Sequence, residues 1–251
     1  MIETTAVSLT AALISELTRH KVKVIFCDEH RNPCLELIPY YGSYDISVKV
    51  KKQIEWSKND KDLVWTSIIS NKIEKQADFL LNLNKPEAAL LYKYKNEIKI
   101  GDTTNREGHA AKVYFNALFG KKFSRSDTNS INAALNYGYS LILSAVNREI
   151  AVNGYITQIG LFHDNMFNQF NLGSDMMEPF RPLIDQLVVS LDPQEFGKDE
   201  KYDILHVFDL DLKINGKKES ITNAIRIYCR SIFDALNSND ISLIRFYDYE
   251  F

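Results

Sequence analysis

Apolar positions recur with two different periods along this chain. The opening stretch "TAVSLTAALISELTRH" places Val7, Leu9, Leu13, Ile14 and Leu17 near helical spacing. "KVKVIFCD" and "PCLELIPYY" follow as two short strands rich in β-formers. Beyond Tyr41-Gly42 the pattern turns helical and stays so. "YDISVKVKKQIEWSK", "KDLVWTSIISNKIEKQADFLLNL" and "KPEAALLYKYKNEI" read as three helices with charged outer faces. "TNREGHAAKVYFNALFG" is a fourth, with Gly120 as its stop. "SDTNSINAALNYGYSLILSAVNREIAV" is a long, largely buried fifth, and "LIDQLVVSL" a sixth. The Asn-Gly of "LKINGKKES" predicts a tight hairpin, and "TNAIRIYCRSIFDALN" closes the set as an amphipathic helix. The fold class expected is mainly α: a remnant of a small β-rich domain at 1–42, then an α-helical domain at 43–251. Two strands and one helix are too little for an independent unit, so further strands upstream of Met1 are expected to complete the sheet.

One segment breaks the helical rules. In "FNLGSDMMEPFRPLID", Asp175 and Glu178 stand at the spacing that puts two carboxylates on one helical face. Pro179 and Pro182 each follow one of these acids four residues later. A proline there removes the bond to the acid's own carbonyl and bends the segment. The same D-x-x-E is also a capping-box pattern, with Asp175 as N-cap and Glu178 at N3.

Composition narrows the function classes. Apolar residues at 45% and charged residues at 25% are ordinary globular values and argue against disorder. No apolar run approaches the ~20 residues of a membrane span, and no signal pattern opens the chain, so no membrane association is expected. Cys27, Cys34 and Cys229 form neither a CxxC nor an even set, which predicts reduced thiols and a cytoplasmic protein. With a net charge of -3, any nucleic-acid binding has to come from local basic patches.

Candidate chemistry gathers on few residues. Of His20, His30, His109, His163 and His206, only His163 ends an apolar stretch, "GYITQIGLFH", and opens a polar loop. Glu107 lies at a helix start, where an acid also complements the dipole. Gly108 beside it suits a close approach to the backbone. Arg106 and Lys112 flank this acid, and Lys121, Lys122 and Arg125 follow. Two or three carboxylates with one neutral imidazole make a hard, oxygen-rich site for Mg2+ or Mn2+ rather than zinc.

The motifs "NREGHAAKVYFNALFG", "INAALNYGYSLILSAVNREI", "GYITQIGLFH" and "SDMMEPFRPLID", in this order over roughly residues 105 to 185, resemble the CRISPR-associated adaptation integrases of type II systems. The resemblance implies a metal-dependent DNA endonuclease and integrase that inserts captured DNA into the CRISPR array. Glu107, His163 and Glu178 would then be catalytic metal ligands, Asp175 a supporting acid, and the tyrosine-rich helix would pack behind them. Many family members carry Asp where Glu178 stands. The reaction implied is attack by a protospacer 3′-hydroxyl on a repeat-end phosphate. Arg106, Lys112, Lys121, Lys122 and Arg181 are the candidates for DNA phosphate contacts. Implied partners are double-stranded DNA (protospacer and repeat), a second copy of the chain in a homodimer, and the small second adaptation protein. The alternative is a non-catalytic DNA-binding or scaffold protein that keeps the helical fold.

Overall fold

The computed structural model describes residues 1–38 and 45–249. The expected domain boundary at 42/43 and the end of the second expected strand lie outside the described residues. The helical reading holds along most of the chain. In order come α1 (Ala11–Arg19), β1 (Val24–Cys27), β2 (Pro33–Leu37), α2 (Ile46–Glu55), α3 (Lys58–Asn82) and α4 (Ala88–Asn96). Then follow α5 (Arg106–Phe119), α6 (Ser130–Val152), α7 (Asn171–Met176), α8 (Arg181–Leu191) and α9 (Lys198–Leu205). β3 (Asp211–Ile214), β4 (Lys217–Ser220), α10 (Ile221–Ser238) and β5 (Tyr247–Asp248) complete the order. The fold is mainly α with two small sheets.

Local chemistry sets the helix ends. Ser57 caps α3 by accepting the Asp60 N–H, and Asn129 caps α6 by accepting the Asn132 N–H. Gly120, at φ 97°, stops α5 as its position predicts. Asn215 and Gly216 have φ of 52° and 74° and turn β3 into β4, with Ile214 opposite Lys217. β5 joins the other edge of β3, giving a three-stranded sheet of order β4-β3-β5.

α3, α6, α8 and α10 supply the core. Ile68, Ile69, Ile73 and Leu80 of α3, Leu135, Ile142, Val146 and Ile150 of α6, and Ile232 of α10 are all completely buried. Truncating one such side chain to Ala typically costs about 2–5 kcal/mol. α3 is enclosed widely enough that Lys72, Lys75 and Gln76 are buried as well. Lys75 donates to the Tyr247 carbonyl at 2.6 Å, which ties β5 to α3.

The N-terminal strands do not stand alone. β1 and β2 pair antiparallel, and Ile2 adds a parallel bridge to Phe26. This unit rests on α6: Lys23 Nζ donates to the Ala151 carbonyl at 2.6 Å, and Arg148 pairs with Glu3 at 2.5 Å. α1 buries none of its residues, and Leu35 and Ile38 are exposed.

The acid-proline segment differs from both sequence readings. α7 ends at Met176, a 3₁₀ turn spans Glu178–Phe180, and α8 starts at Arg181. Asp175 therefore lies inside α7 and caps nothing, which overturns the capping box. Pro179 and Pro182 occupy the first turns of the 3₁₀ segment and of α8, where a missing N–H costs nothing. Pro182 does not leave the Glu178 carbonyl unpaired either, because the Arg181 N–H donates to it. The break between the helices sends the two carboxylates to different neighbours.

Candidate active site

Four elements meet around one buried ammonium. Lys72 lies on the buried row of α3 that runs through Ile68, Gln76 and Leu80, and it is 5% exposed. Its Nζ is 2.5 Å from Glu107 Oε1 and 2.5 Å from Glu178 Oε2. Glu107 is delivered by the first turn of α5, whose start is fixed by buried Asp102. The Asp102 carboxylate accepts the N–H groups of Arg106 at 2.7 Å and Glu107 at 2.9 Å. Glu178 is delivered by the 3₁₀ turn, and Arg181 holds its other oxygen, Oε1, at 3.0 Å.

The charges respond to this arrangement. The Lys72 ammonium holds the Glu107 carboxyl below its ordinary range. Burial alone would lower the Lys72 pKa, but the Glu178 and Glu107 charges outweigh it and hold the group above its ordinary value.

His163 and Asp175 form a second pair. Asp175, completely buried, accepts the backbone N–H of Leu161 at 2.6 Å, of Phe162 at 3.0 Å and of His163 at 3.2 Å. Its Oδ1 is also 2.5 Å from His163 Nδ1. The hydrogen bond to Asp175 raises the imidazole pKa against the opposing effect of burial. Gly160 makes the fit possible: a Cβ there would stand 2.3 Å from the His163 carbonyl and 2.8 Å from Asp175 Oδ2. That is the physical content of the glycine in "GLFH". Gln53 of α2 supports the same segment from behind, donating to the Ile156 carbonyl at 2.8 Å and the Ile159 carbonyl at 3.1 Å.

A third layer lies behind Arg181. Its guanidinium sits over the Tyr139 ring, 4.7 Å from the centroid, and Tyr139 donates to buried Asp185. Burial pushes the Asp185 carboxyl up to about 6.

The other expected residues are more dispersed. Lys112 and Lys121, with Arg125, Phe115 and Phe123, line a cavity of about 400 Å³ along α5, and Lys122 is exposed beside it. Arg106 is engaged elsewhere, pairing with Glu97 at 2.9 Å and lying over the Tyr94 ring. What approaches Gly108 closely is the Asn105 side chain that caps α5. His20, His30, His109 and His206 are exposed. Sequence reasoning missed Lys72, Asp102, Gln53 and Asp185. A lysine in the row of Ile68 and Leu80 was a usable signal, since lysine is rarely buried without a partner.

Glu107, Glu178 and His163 are donor types that a hard divalent ion takes. Glu178 Oε2 is buried and receives no hydrogen bond of proper geometry, and His163, tied through Nδ1, keeps Nε2 as its second ring nitrogen. Among the described residues, no three His, Cys, Asp or Glu side chains stand close enough together to hold an ion between them. Lys72 is what closes the two glutamates.

Residues 1–224 match the family model for "CRISPR associated protein Cas1". The chain belongs to this family. The CRISPR-associated endonuclease Cas1 of Neisseria meningitidis serogroup C is 41% identical over 194 residues, covering 76% of this chain and 63% of that protein. This chain thus spans less than two thirds of that Cas1 relative. Two solved structures share the fold. A casposase bound to integration product has a TM-score of 0.74 at 20% identity, over 93% of this chain and 80% of its own. A partial Cas6-RT-Cas1–Cas2 complex has a TM-score of 0.74 at 16% identity, over 94% and 84%. No helix among the described residues is long and apolar enough to cross a membrane.

Proposed function

We propose that this chain carries the catalytic centre of a metal-dependent DNA endonuclease and integrase, which inserts captured foreign DNA into a CRISPR array. The supporting observation is the closure of Glu107 and Glu178, far apart in sequence, on one buried point. Membership of the Cas1 family and the likeness to a casposase bound to integration product point the same way.

In this reading Glu107, Glu178 and His163 would hold Mg2+ or Mn2+. A bound ion of this kind supplies Lewis acidity, making the attacking 3′-hydroxyl more acidic and offsetting charge on the phosphoryl oxygens. The protein's own part is positional and electrostatic. Asp175 fixes the imidazole orientation and keeps the proton on Nδ1, and the same carboxylate holds the loop that carries the ring. Arg181 brings a guanidinium to the edge of Glu178, where it would offset charge on a phosphate held at these acids. Lys112, Lys121 and Lys122 hold DNA phosphates along α5 and position the strand without reading its sequence. The partners in this reading are protospacer and repeat DNA, a second copy of the chain, and the small second adaptation protein; a solved Cas1–Cas2 complex shares the fold.

The competing reading is a scaffold that binds DNA without cutting or joining it. One observation favours it: Lys72 already stands as the counter-charge of both glutamates, 2.5 Å from an oxygen of each. A strand-transfer assay separates the two. Purified chain, Mg2+ or Mn2+, and a labelled duplex with free 3′ ends should give labelled strands joined to target DNA. Binding of the same duplex without any joined or cleaved product would favour the scaffold.

A further inference from the structure

The arrangement around Lys72 is neutral before any metal arrives. Two carboxylates, Glu107 and Glu178, face two cations, Lys72 and Arg181. The Lys72 and Glu178 side chains are each 6% exposed, so water screens that pair weakly, whereas Glu107 and Arg181 reach the solvent edge at 30% each. Lys72 is not attached to either acid's element. It reaches across from α3 to α5 and to the 3₁₀ turn. Of the two cations it is the one that touches both glutamates.

We propose that Lys72 is a positioning residue that acts as a built-in counter-cation, holding Glu107 and Glu178 together in the metal-free protein and ceding them when a divalent ion binds. The inference rests on the assignment of these two glutamates as metal ligands. Its physical basis is competition. An ammonium 2.5 Å from an oxygen of each acid occupies the ground that a hard cation needs. A second, doubly charged cation at the same oxygens is repelled by it across a poorly screened distance. Metal affinity is therefore set below what the bare carboxylate pair would give. In exchange Lys72 offsets the mutual repulsion of the two acids, of which Glu178 is buried and Glu107 is partly exposed.

The test is Lys72→Met, a near-isosteric side chain without charge, read by Mn2+ binding calorimetry and by thermal unfolding with and without Mn2+. The expected result is Mn2+ binding tighter by about tenfold or more. The metal-free melting temperature should fall, and added Mn2+ should raise it by more than in the parent. A core lysine with a purely structural role would lower the metal-free melting temperature and leave Mn2+ affinity unmoved. Lys72→Gln, which keeps an amide donor for Glu107, gives the same expected affinity change if the Met variant does not fold. Mn2+ binding that depends on Glu107 in the parent, but is unchanged or weaker in both variants, overturns the role of Lys72 and leaves the ligand assignment standing. Binding that appears only in the variants supports the role in its strongest form. Absence of binding in parent and variants alike overturns both.

Discussion

Asp175 grips His163 at two points: its Oδ1 lies 2.5 Å from Nδ1 of the ring and 3.2 Å from the backbone N–H. With the N–H groups of Leu161 and Phe162 on Oδ2, one carboxylate fixes both the loop and the imidazole. Asparagine cannot replace it. An amide offers one acceptor oxygen and turns its NH2 toward donors. Asp175→Asn is therefore expected to destabilise the fold by about 3 kcal/mol, measured by urea unfolding. His163 should also lose its upward shift and titrate nearer its ordinary value, measured by NMR of the ring protons. An unshifted titration curve in the variant would show that the carboxylate does not set the imidazole's charge.

Glu107→Gln, Glu178→Gln and His163→Ala should each bring strand transfer to background while the circular dichroism spectrum stays that of the parent. The two glutamine variants differ in one respect. Glu178 is held by Lys72 and Arg181, whereas Glu107 is held by Lys72 and is more open to solvent. Glu178→Gln leaves more buried positive charge uncompensated, so its melting temperature should fall further than that of Glu107→Gln. Full activity in any one variant, at unchanged metal concentration, would remove that residue from the site.

Periodicity alone showed most of the helical fold, because α3, α5, α6 and α10 carry long apolar stripes with capping residues at their ends. α9 escaped because it is short and polar, with only Ile204 buried, and β5 because two residues hold no pattern. Of the candidate site, the sequence singled out Glu107, His163, Asp175 and Glu178, but not Lys72, Asp102, Gln53 or Asp185, nor the connections among them. Asp175 and Glu178 are spaced as partners on one helical face, yet the helix ends between them and sends one to His163 and the other to Lys72. Nothing local to Lys72 announces its partners, because they lie 35 residues away in α5 and further still in the 3₁₀ turn. Ion pairs between distant elements follow from packing, which no single stretch of sequence encodes.

Asp185 gives a pH signature separable from the metal. Its carboxyl is completely buried and titrates at about 6 against an ordinary 3.8. A raised acid pKa in the folded state stabilises the fold at low pH, where both states hold the proton. That stability is lost as pH rises from about 4 through 6. The full effect is on the order of 3 kcal/mol. Asp185→Asn cannot ionise and keeps an oxygen to accept from Tyr139. Urea unfolding of parent and variant should show the variant gaining on the parent between pH 4 and pH 7, then running parallel to it. A gap that is constant over that range would mean that Asp185 stays ionised in the fold.

DNA binding supplies the last expectation, because the proposed phosphate contacts differ in how free they are. Lys112 and Lys121 line one cavity along α5 and Lys122 is exposed beside it, whereas Arg106 is committed to Glu97. The whole chain carries a net charge of -3, so attraction to DNA has to be local. A lysine that neutralises a phosphate releases a counterion, and affinity then falls linearly with the logarithm of salt, with a slope of about 0.9 per contact. Affinity for a short duplex should fall steeply with added salt in the parent. Lys112→Ala and Lys121→Ala should each flatten the slope by about one contact and weaken binding evenly across unrelated sequences. Arg106→Ala should leave the slope nearly unchanged, because its guanidinium has to break a pair with Glu97 before it can reach a phosphate. If Arg106→Ala flattens the slope as much as the lysine variants do, the Glu97 pair opens on DNA binding and the phosphate track continues to the start of α5, beside Glu107.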